Sequence, residues 1–210
     1  MKLLRDQIAD LLRSQILDGT LPSGSRIREE RIAEEQGVSR VPVREALQRL
    51  ETEGYLVLTP RRGATVASPS RERAIEVMEV RRALEDLAVR KAAAARGGSV
   101  ATELAAVVDR GFSAIARRRH REIPGLIDRF HELVAVASGN AELVDLLEQL
   151  RTRVGWMFEV DVEHRSEGSW SDHRDILDAI LAGDEERAAA LMDHHVAKDE
   201  ALYRSMAPEP

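Results

Sequence analysis

Three histidines are the residues of this chain whose types and spacing point most directly to chemistry. His131, His173 and His195 lie in three separate stretches of helical pattern, each in register with the apolar residues of its stretch. An imidazole taken out of water needs a polar partner. A single inward histidine is usually an ordinary core residue, but three can share a metal ion, because neutral imidazole binds zinc, nickel and iron. The spacing therefore predicts a buried three-histidine metal site.

A second group of residues suits contact with DNA. Arg40 and Arg44 lie one helical turn apart at the start of a helical pattern, on the face opposite its apolar stripe, with Val41 and Gln48 beside them. Ser39 precedes them as a suitable N-cap. Arginine can bond guanine with two hydrogen bonds in the major groove. A solvated helix face would explain any one of these residues, so the prediction depends on the elements around them.

Those elements follow one another in a characteristic order. Helical patterns cover residues 2–18, 29–36 and 39–53, and Gly37 breaks the chain between the second and the third. Two helices joined by a tight turn that contains glycine form a helix-turn-helix, whose second helix enters the major groove. Strand patterns follow at 55–59 and 64–67. The order predicts a winged helix-turn-helix.

The turn between the two strand patterns is basic. It contains Arg61, Arg62 and Gly63 after a proline. A hairpin tipped in this way can follow DNA phosphates or reach into a minor groove. We therefore include these three residues among the predicted DNA contacts.

The remainder of the chain is almost continuous helical pattern. Six helices are predicted, at 71–96, 100–119, 123–138, 141–160, 170–182 and 184–205. The sequence thus predicts a mainly α protein, with a winged helix-turn-helix domain followed by an all-helical bundle. The predicted boundaries are 1–68 for the first domain, 69–73 for a linker and 74–206 for the bundle. Bundles of this kind build ligand sites between facing helices.

Composition excludes several classes of protein. The chain of 210 residues has no cysteine, which excludes a disulfide scaffold, a cysteine zinc finger and cysteine catalysis. It has no apolar run long enough to cross a bilayer and no pattern of a signal peptide, so we expect a cytoplasmic protein without membrane contact. The net charge of −6 argues against nucleic acid as a partner.

That net charge is an average over two unlike parts. Residues 1–68 hold 11 basic and 10 acidic residues, whereas residues 69–210 hold 20 and 27. The placement of the arginines on one helix face and one turn is therefore more informative than the total.

Residues 3–67 resemble the winged helix-turn-helix of the GntR family of bacterial transcription regulators. The resemblance rests on the strings ILDGTLPSGSRI, RIAEEQGVSRVPVREALQRLETEGYL and RRGATVA. It implies a homodimer on a palindromic double-stranded operator. It implies operator contacts by the third helix and the wing, through Ser39, Arg40, Val41, Arg44, Arg62 and Gly63. Arg28 and Arg31 are weaker candidates for phosphate contacts.

Residues 74–203 resemble the ligand-binding FCD domain of the FadR-type branch of that family, in its six-helix, VanR-like variety. The resemblance rests on the strings VRRALEDLAVRKAA, DRFHELVAVASGN and SDHRDILDAILAGDEERAAALMDHHV. In many such domains an aspartate and three histidines hold a divalent metal at the floor of a pocket for a small carboxylic acid. The histidines of the family correspond to His131, His173 and His195.

The resemblance implies two further site residues. The family places its aspartate four residues before the first histidine, where this chain has Ile127, and Asp128 lies one residue later. We expect Asp128 to reach the metal after a modest shift, or else water or the effector to complete the shell. Arg81 is implied as a partner of the effector carboxylate, with an ion pair to Glu85 as an equal alternative.

The leading functional hypothesis is a DNA-binding repressor whose operator affinity depends on a small carboxylic acid bound at a metal. Zinc is the metal expected first, and nickel, iron or manganese are alternatives. A regulator that responds to the ion itself is a second hypothesis. A metal-dependent hydrolase is a remote third, because no motif supplies a catalytic base. We therefore expect that the chain is not an enzyme.

Overall fold

A computed structural model describes residues 3–60, 63–68, 71–157 and 166–205. The chain divides into two compact units, Met1–Pro69 and Ser70–Pro210. Both are built mainly from helices, as the sequence predicts. In the described residues no helix is long and apolar enough to cross a membrane.

The first unit contains three helices and a small antiparallel sheet. In chain order the elements are α1 (Leu4–Leu17), β1 (Arg26–Ile27), α2 (Glu29–Gln36), α3 (Arg40–Thr52), β2 (Leu56–Thr59) and β3 (Gly63–Val66). The strands lie in the order β1-β3-β2. Strand β1 was not predicted, because two residues are too short to give an alternating pattern, and its pairing with β3 defines it. Arg26 lies opposite Thr65 in that pairing.

The helix-turn-helix forms where the sequence predicts it. Gly37 ends α2 in a left-handed conformation with φ of 64°, which a residue with a side chain adopts at a cost. Helix α3 then buries the predicted apolar stripe, Val43, Ala46, Leu47 and Leu50. Ser39 occupies the N-cap position, but its side chain makes no capping hydrogen bond. The predicted N-cap position is therefore confirmed, without a side-chain capping bond.

The second unit is an all-helical bundle. Its long helices are α4 (Arg71–Ala94), α5 (Ala101–Ala116), α6 (Ile123–Ala137), α7 (Ala141–Met157), α8 (Ser166–Ala182) and α9 (Glu185–Ser205). Two of the predicted boundary signals act as expected. Pro124 lies in the first turn of α6, and the Asp184 carboxylate accepts a hydrogen bond from the Arg187 backbone N–H at 3.0 Å.

The indole of Trp170 fixes the distance between α5 and α8. The side chain is fully buried, and its Nε1 donates a hydrogen bond to the Val108 carbonyl at 2.9 Å. A Cβ atom at Gly111 would lie 1.5 Å from Cε2 of the indole. Helix α5 can therefore approach α8 this closely only because residue 111 is a glycine.

We expect Gly111→Ala to destabilise the protein by about 3 kcal/mol, since overpacking a core usually costs about 1–3 kcal/mol and the indole has little room to move. Urea unfolding followed by circular dichroism measures the change. Gly125→Ala is the matched control, because a Cβ there would meet nothing within 4 Å. Equal stability of the two variants would contradict this account of the α5–α8 contact.

Candidate metal centre and DNA-binding surface

The structure brings the three histidines together in the core of the bundle. His131 lies on α6, His173 on α8 and His195 on α9, and their exposed fractions are 1%, 0% and 3%. One ring nitrogen from each lies within 4.8 Å of the others, which makes this a group that could hold a metal ion. The aromatic rings of Phe130 and Trp170 pack against His173, with ring centroids 4.3 and 4.6 Å away.

Two of the three imidazoles, those of His131 and His195, each lie beside a carboxylate. The Nδ1 atom of His131 is 3.1 Å from Oε1 of Glu85, although the two groups are poorly aligned for a hydrogen bond. The Nδ1 atom of His195 is 3.3 Å from Oδ2 of Asp172. Both oxygens of Asp172 accept hydrogen bonds from the Lys198 ammonium at 2.8 Å. Carboxylates in this position orient metal-binding imidazoles and fix which nitrogen carries the proton.

The charges of these groups suit a metal site. Burial lowers the pKa of His131 and lowers that of His173 well below its ordinary value, so both imidazoles are neutral. Burial would raise the pKa of Glu85, but its contact with His131 and the positive charges of Arg81 and Arg151 outweigh that effect and lower the pKa to about 2. The hydrogen bond from His195 lowers the pKa of Asp172 to about 2. An ionised carboxylate therefore lies beside His131, and another lies beside His195.

The ring nitrogens that do not face a carboxylate are placed to bind a shared cation. The Nε2 atoms of His131 and His195 are 3.3 Å apart. If each Nδ1 carries the proton, both Nε2 atoms direct lone pairs at each other, and a cation between them relieves the repulsion. In a tetrahedral zinc site with Zn–N bonds of about 2.0–2.1 Å, neighbouring ligand nitrogens lie about 3.3 Å apart. Both ring nitrogens of His173 are also buried without a hydrogen-bond partner in the described residues.

The structure does not bring Asp128 to the histidines. Its side chain is exposed, and within the described residues the group of possible ligands comprises the three histidines alone. Each helical residue is rotated by about 100° from the one before, so the one-residue offset turns Asp128 away. Arg81 is buried, and its Nε lies 3.3 Å from Oε1 of Glu85. The ion pair considered as the alternative for Arg81 is therefore present.

Sequence reasoning missed the two carboxylates behind the imidazoles. Glu85 was noticed only as a partner of Arg81, and nothing local indicated that α4 would place it beside His131. Asp172 directly precedes His173 in the sequence, but it contacts the histidine of a different helix. Acidic residues that neighbour the histidines in the sequence suggested that carboxylates could lie near the site, but they did not show which acid contacts which histidine.

The predicted DNA-reading residues lie together on the solvent side of α3. Ser39, Arg40, Val41, Arg44 and Gln48 are all exposed. The side chain of Val41 is 66% exposed, so its methyl groups are accessible for contact with a base methyl group.

Both arginines of this surface are paired with acids of α2. The Arg44 Nη2 atom is 2.9 Å from Oε2 of Glu29, and the Arg40 Nη2 atom is 2.9 Å from Oε1 of Glu30. The hydrogen bond from Arg44, assisted by Arg40, lowers the pKa of Glu29. Exposed ion pairs of this kind are weak and screened by salt, so they can give way to DNA.

The remaining predicted contacts are placed as follows. Arg28 and Arg31 are exposed, and Arg31 pairs with Glu35 at 2.6 Å along α2. Gly63 begins β3, opposite Thr59. Arg61 and Arg62 lie outside the described residues.

Two known families cover most of the chain. Residues 76–198 match the FCD domain, and residues 4–66 match the bacterial regulatory proteins of the gntR family. The matches coincide with the helical bundle and with the winged helix-turn-helix.

Two relatives align over most of their length. The Bacillus subtilis protein YdhC, described as an uncharacterized HTH-type transcriptional regulator, is 31% identical over 185 residues, which cover 87% of this chain and 83% of that protein. The probable D-xylose utilization operon transcriptional repressor of Paenarthrobacter nicotinovorans is 32% identical over 196 residues, which cover 91% of this chain and 84% of that protein.

A solved structure shares the fold. Escherichia coli McbR/YncC superimposes with a TM-score of 0.74 at 24% sequence identity, covering 97% of this chain and 98% of that one. The relatives from B. subtilis and P. nicotinovorans are both named as transcription regulators and not as enzymes. The chain is therefore a transcriptional regulator of the GntR family, in which a gntR-type DNA-binding domain precedes an FCD domain.

Proposed function

We propose that this regulator is a repressor in the cytoplasm, and that a divalent metal at His131, His173 and His195 forms part of a pocket for a small carboxylic acid effector. The observation that carries the proposal is the pair of Nε2 atoms 3.3 Å apart, each on an imidazole backed by a carboxylate. Zinc is the first candidate for three imidazole ligands, ahead of nickel, iron and manganese.

Five residues of the chain would have distinct roles at this site. The three imidazoles hold the ion, and Glu85 and Asp172 orient the rings of His131 and His195. When bound, the metal supplies a Lewis-acidic centre for a carboxylate oxygen. Four helices contribute: α4 through Glu85, α6 through His131, α8 through both Asp172 and His173, and α9 through His195. Binding of the effector would therefore change the packing of several helices at once.

The DNA-binding part of the proposal is a homodimer that places two α3 helices in successive major grooves of a palindromic operator. Helix α4 follows the DNA-binding unit in the sequence and carries Glu85, so it is the element through which occupancy would alter operator affinity. The name of the P. nicotinovorans relative supports repression as the sign of the response.

The metal site is tested by His173→Ala. We expect untagged wild-type protein to hold about one metal ion per chain, and the variant to hold less than a tenth of that, since the buried imidazole is lost. Elemental analysis by mass spectrometry measures both. His194→Ala is the matched control, because His194 neighbours His195 on α9 but is exposed. Equal metal content in the His173 variant and wild type would overturn the site.

The recognition surface is tested by Arg44→Ala. We expect at least a hundredfold loss of affinity for an operator selected from random duplexes by the wild-type protein, with weak non-specific binding retained. Fluorescence anisotropy at fixed salt concentration measures it, since salt alone changes such affinities. Arg49→Ala is the control on the same helix, where Arg49 pairs with Asp6 and Glu53. Unchanged specific binding in the Arg44 variant would contradict the assignment.

The role of the carboxylic acid and the role of the metal ion can be tested separately. If the ion itself is the signal, adding metal to the metal-free protein will change operator affinity to its full extent with no acid present. If the proposal is correct, the metal-loaded protein will bind operator, and a small carboxylic acid will be needed to release it.

A further inference from the structure

A cavity between α6 and α7 lies apart from the three histidines. Its volume is about 440 Å³, within the range of about 300–1,000 Å³ that is usual for small-molecule sites. The residues that line it are Asp128, Glu132, Val144, Glu148, Arg151 and Thr152. Asp128, which the histidines leave unused, therefore belongs to this cavity.

Among the described residues of this lining, Arg151 is the one cation, and its charge is incompletely compensated. The Nη1 atom of Arg151 is buried and has no hydrogen-bond partner in the described residues. Burial lowers the pKa of Arg151, and the attraction of Glu85, Asp128 and Glu132 opposes that effect. Glu85, however, already contacts both Arg81 and His131. A partly buried guanidinium without a direct partner is costly, and a ligand anion would remove much of that cost.

The acids of the lining favour a ligand that also carries positive charge. Glu132 is paired with Arg129 at 2.7 Å, whereas Asp128 and Glu148 present exposed carboxylates on facing helices. A plain carboxylate, and a dicarboxylate even more, would be repelled by these two groups while it approached Arg151. An ammonium group on the same molecule converts that repulsion into attraction.

We propose that the α6–α7 cavity binds a small amino acid, with the carboxylate of the ligand on Arg151 and its ammonium between Asp128 and Glu148. This cavity is a second ligand site, separate from the carboxylic acid site proposed at the metal, so the inference goes beyond the proposed function. Arg151 is also within electrostatic reach of Glu85, which lies behind His131. Neutralising Arg151 would therefore change the charge balance beside the histidine centre.

The ligand class is tested by isothermal titration of the metal-loaded, full-length protein with each of the twenty L-amino acids. We expect at least one to bind. Its deaminated analogue, which keeps the carboxylate, and its decarboxylated analogue, which keeps the amine, should each bind at least tenfold more weakly. Binding by no amino acid, or equal binding by the deaminated analogue, would overturn the inference.

The residues are tested with the amino acid that binds. Arg151→Ala should weaken its binding at least tenfold, and Asp128→Asn combined with Glu148→Gln should do the same. Arg151→Lys should recover part of the loss, since it restores the charge without the fork geometry. Glu142→Gln, another exposed acid of α7, is the control that should bind as wild type. Unchanged affinity in the Arg151→Ala protein would contradict the assignment.

Metal content and operator affinity measured on the same preparations separate the two proposals. If no amino acid binds but the protein holds metal through the histidines and releases operator with a plain carboxylic acid, the inference fails and the proposed function stands. If His173→Ala leaves the metal content unchanged, the proposed function fails whatever the cavity binds.

Discussion

The removal of three imidazoles from water is the constraint on which the second unit depends. Each buried ring nitrogen requires a partner that replaces the lost hydration. Glu85 and Asp172 face two of these nitrogens, and the facing Nε2 atoms of His131 and His195 are left with each other at 3.3 Å. Because α4, α6, α8 and α9 all contribute to this arrangement, the packing of the bundle and the chemistry of its centre cannot be separated.

The elements of the fold were predictable because their signals are local. Helix α3 could be identified from the spacing of Val43, Ala46, Leu47 and Leu50, and all four are buried. The inward direction of the histidines followed from the same periodicity. Strand β1 was not predictable, because its two residues are defined by a partner strand far along the chain.

The partners of the site residues were less predictable than the site itself. A helical pattern shows which face of a helix turns inward but not which helix it meets. The sequence therefore did not indicate that the carboxylate beside His131 comes from α4 and the one beside His195 from α8. It also did not indicate that Asp128 lines a cavity instead. The net charge of the chain also failed to indicate its partner, since it averages an arginine-bearing surface with an acidic bundle.

The coordination of the metal proposed at the three histidines is the most direct test of this account. X-ray absorption spectroscopy of the untagged protein, at the edge of any metal found by elemental analysis, would report the ligands of the ion in solution. For zinc, the account predicts three imidazole nitrogens at about 2.0–2.1 Å, with an oxygen donor completing the shell. A spectrum without imidazole scattering, or with a single imidazole ligand, would contradict it.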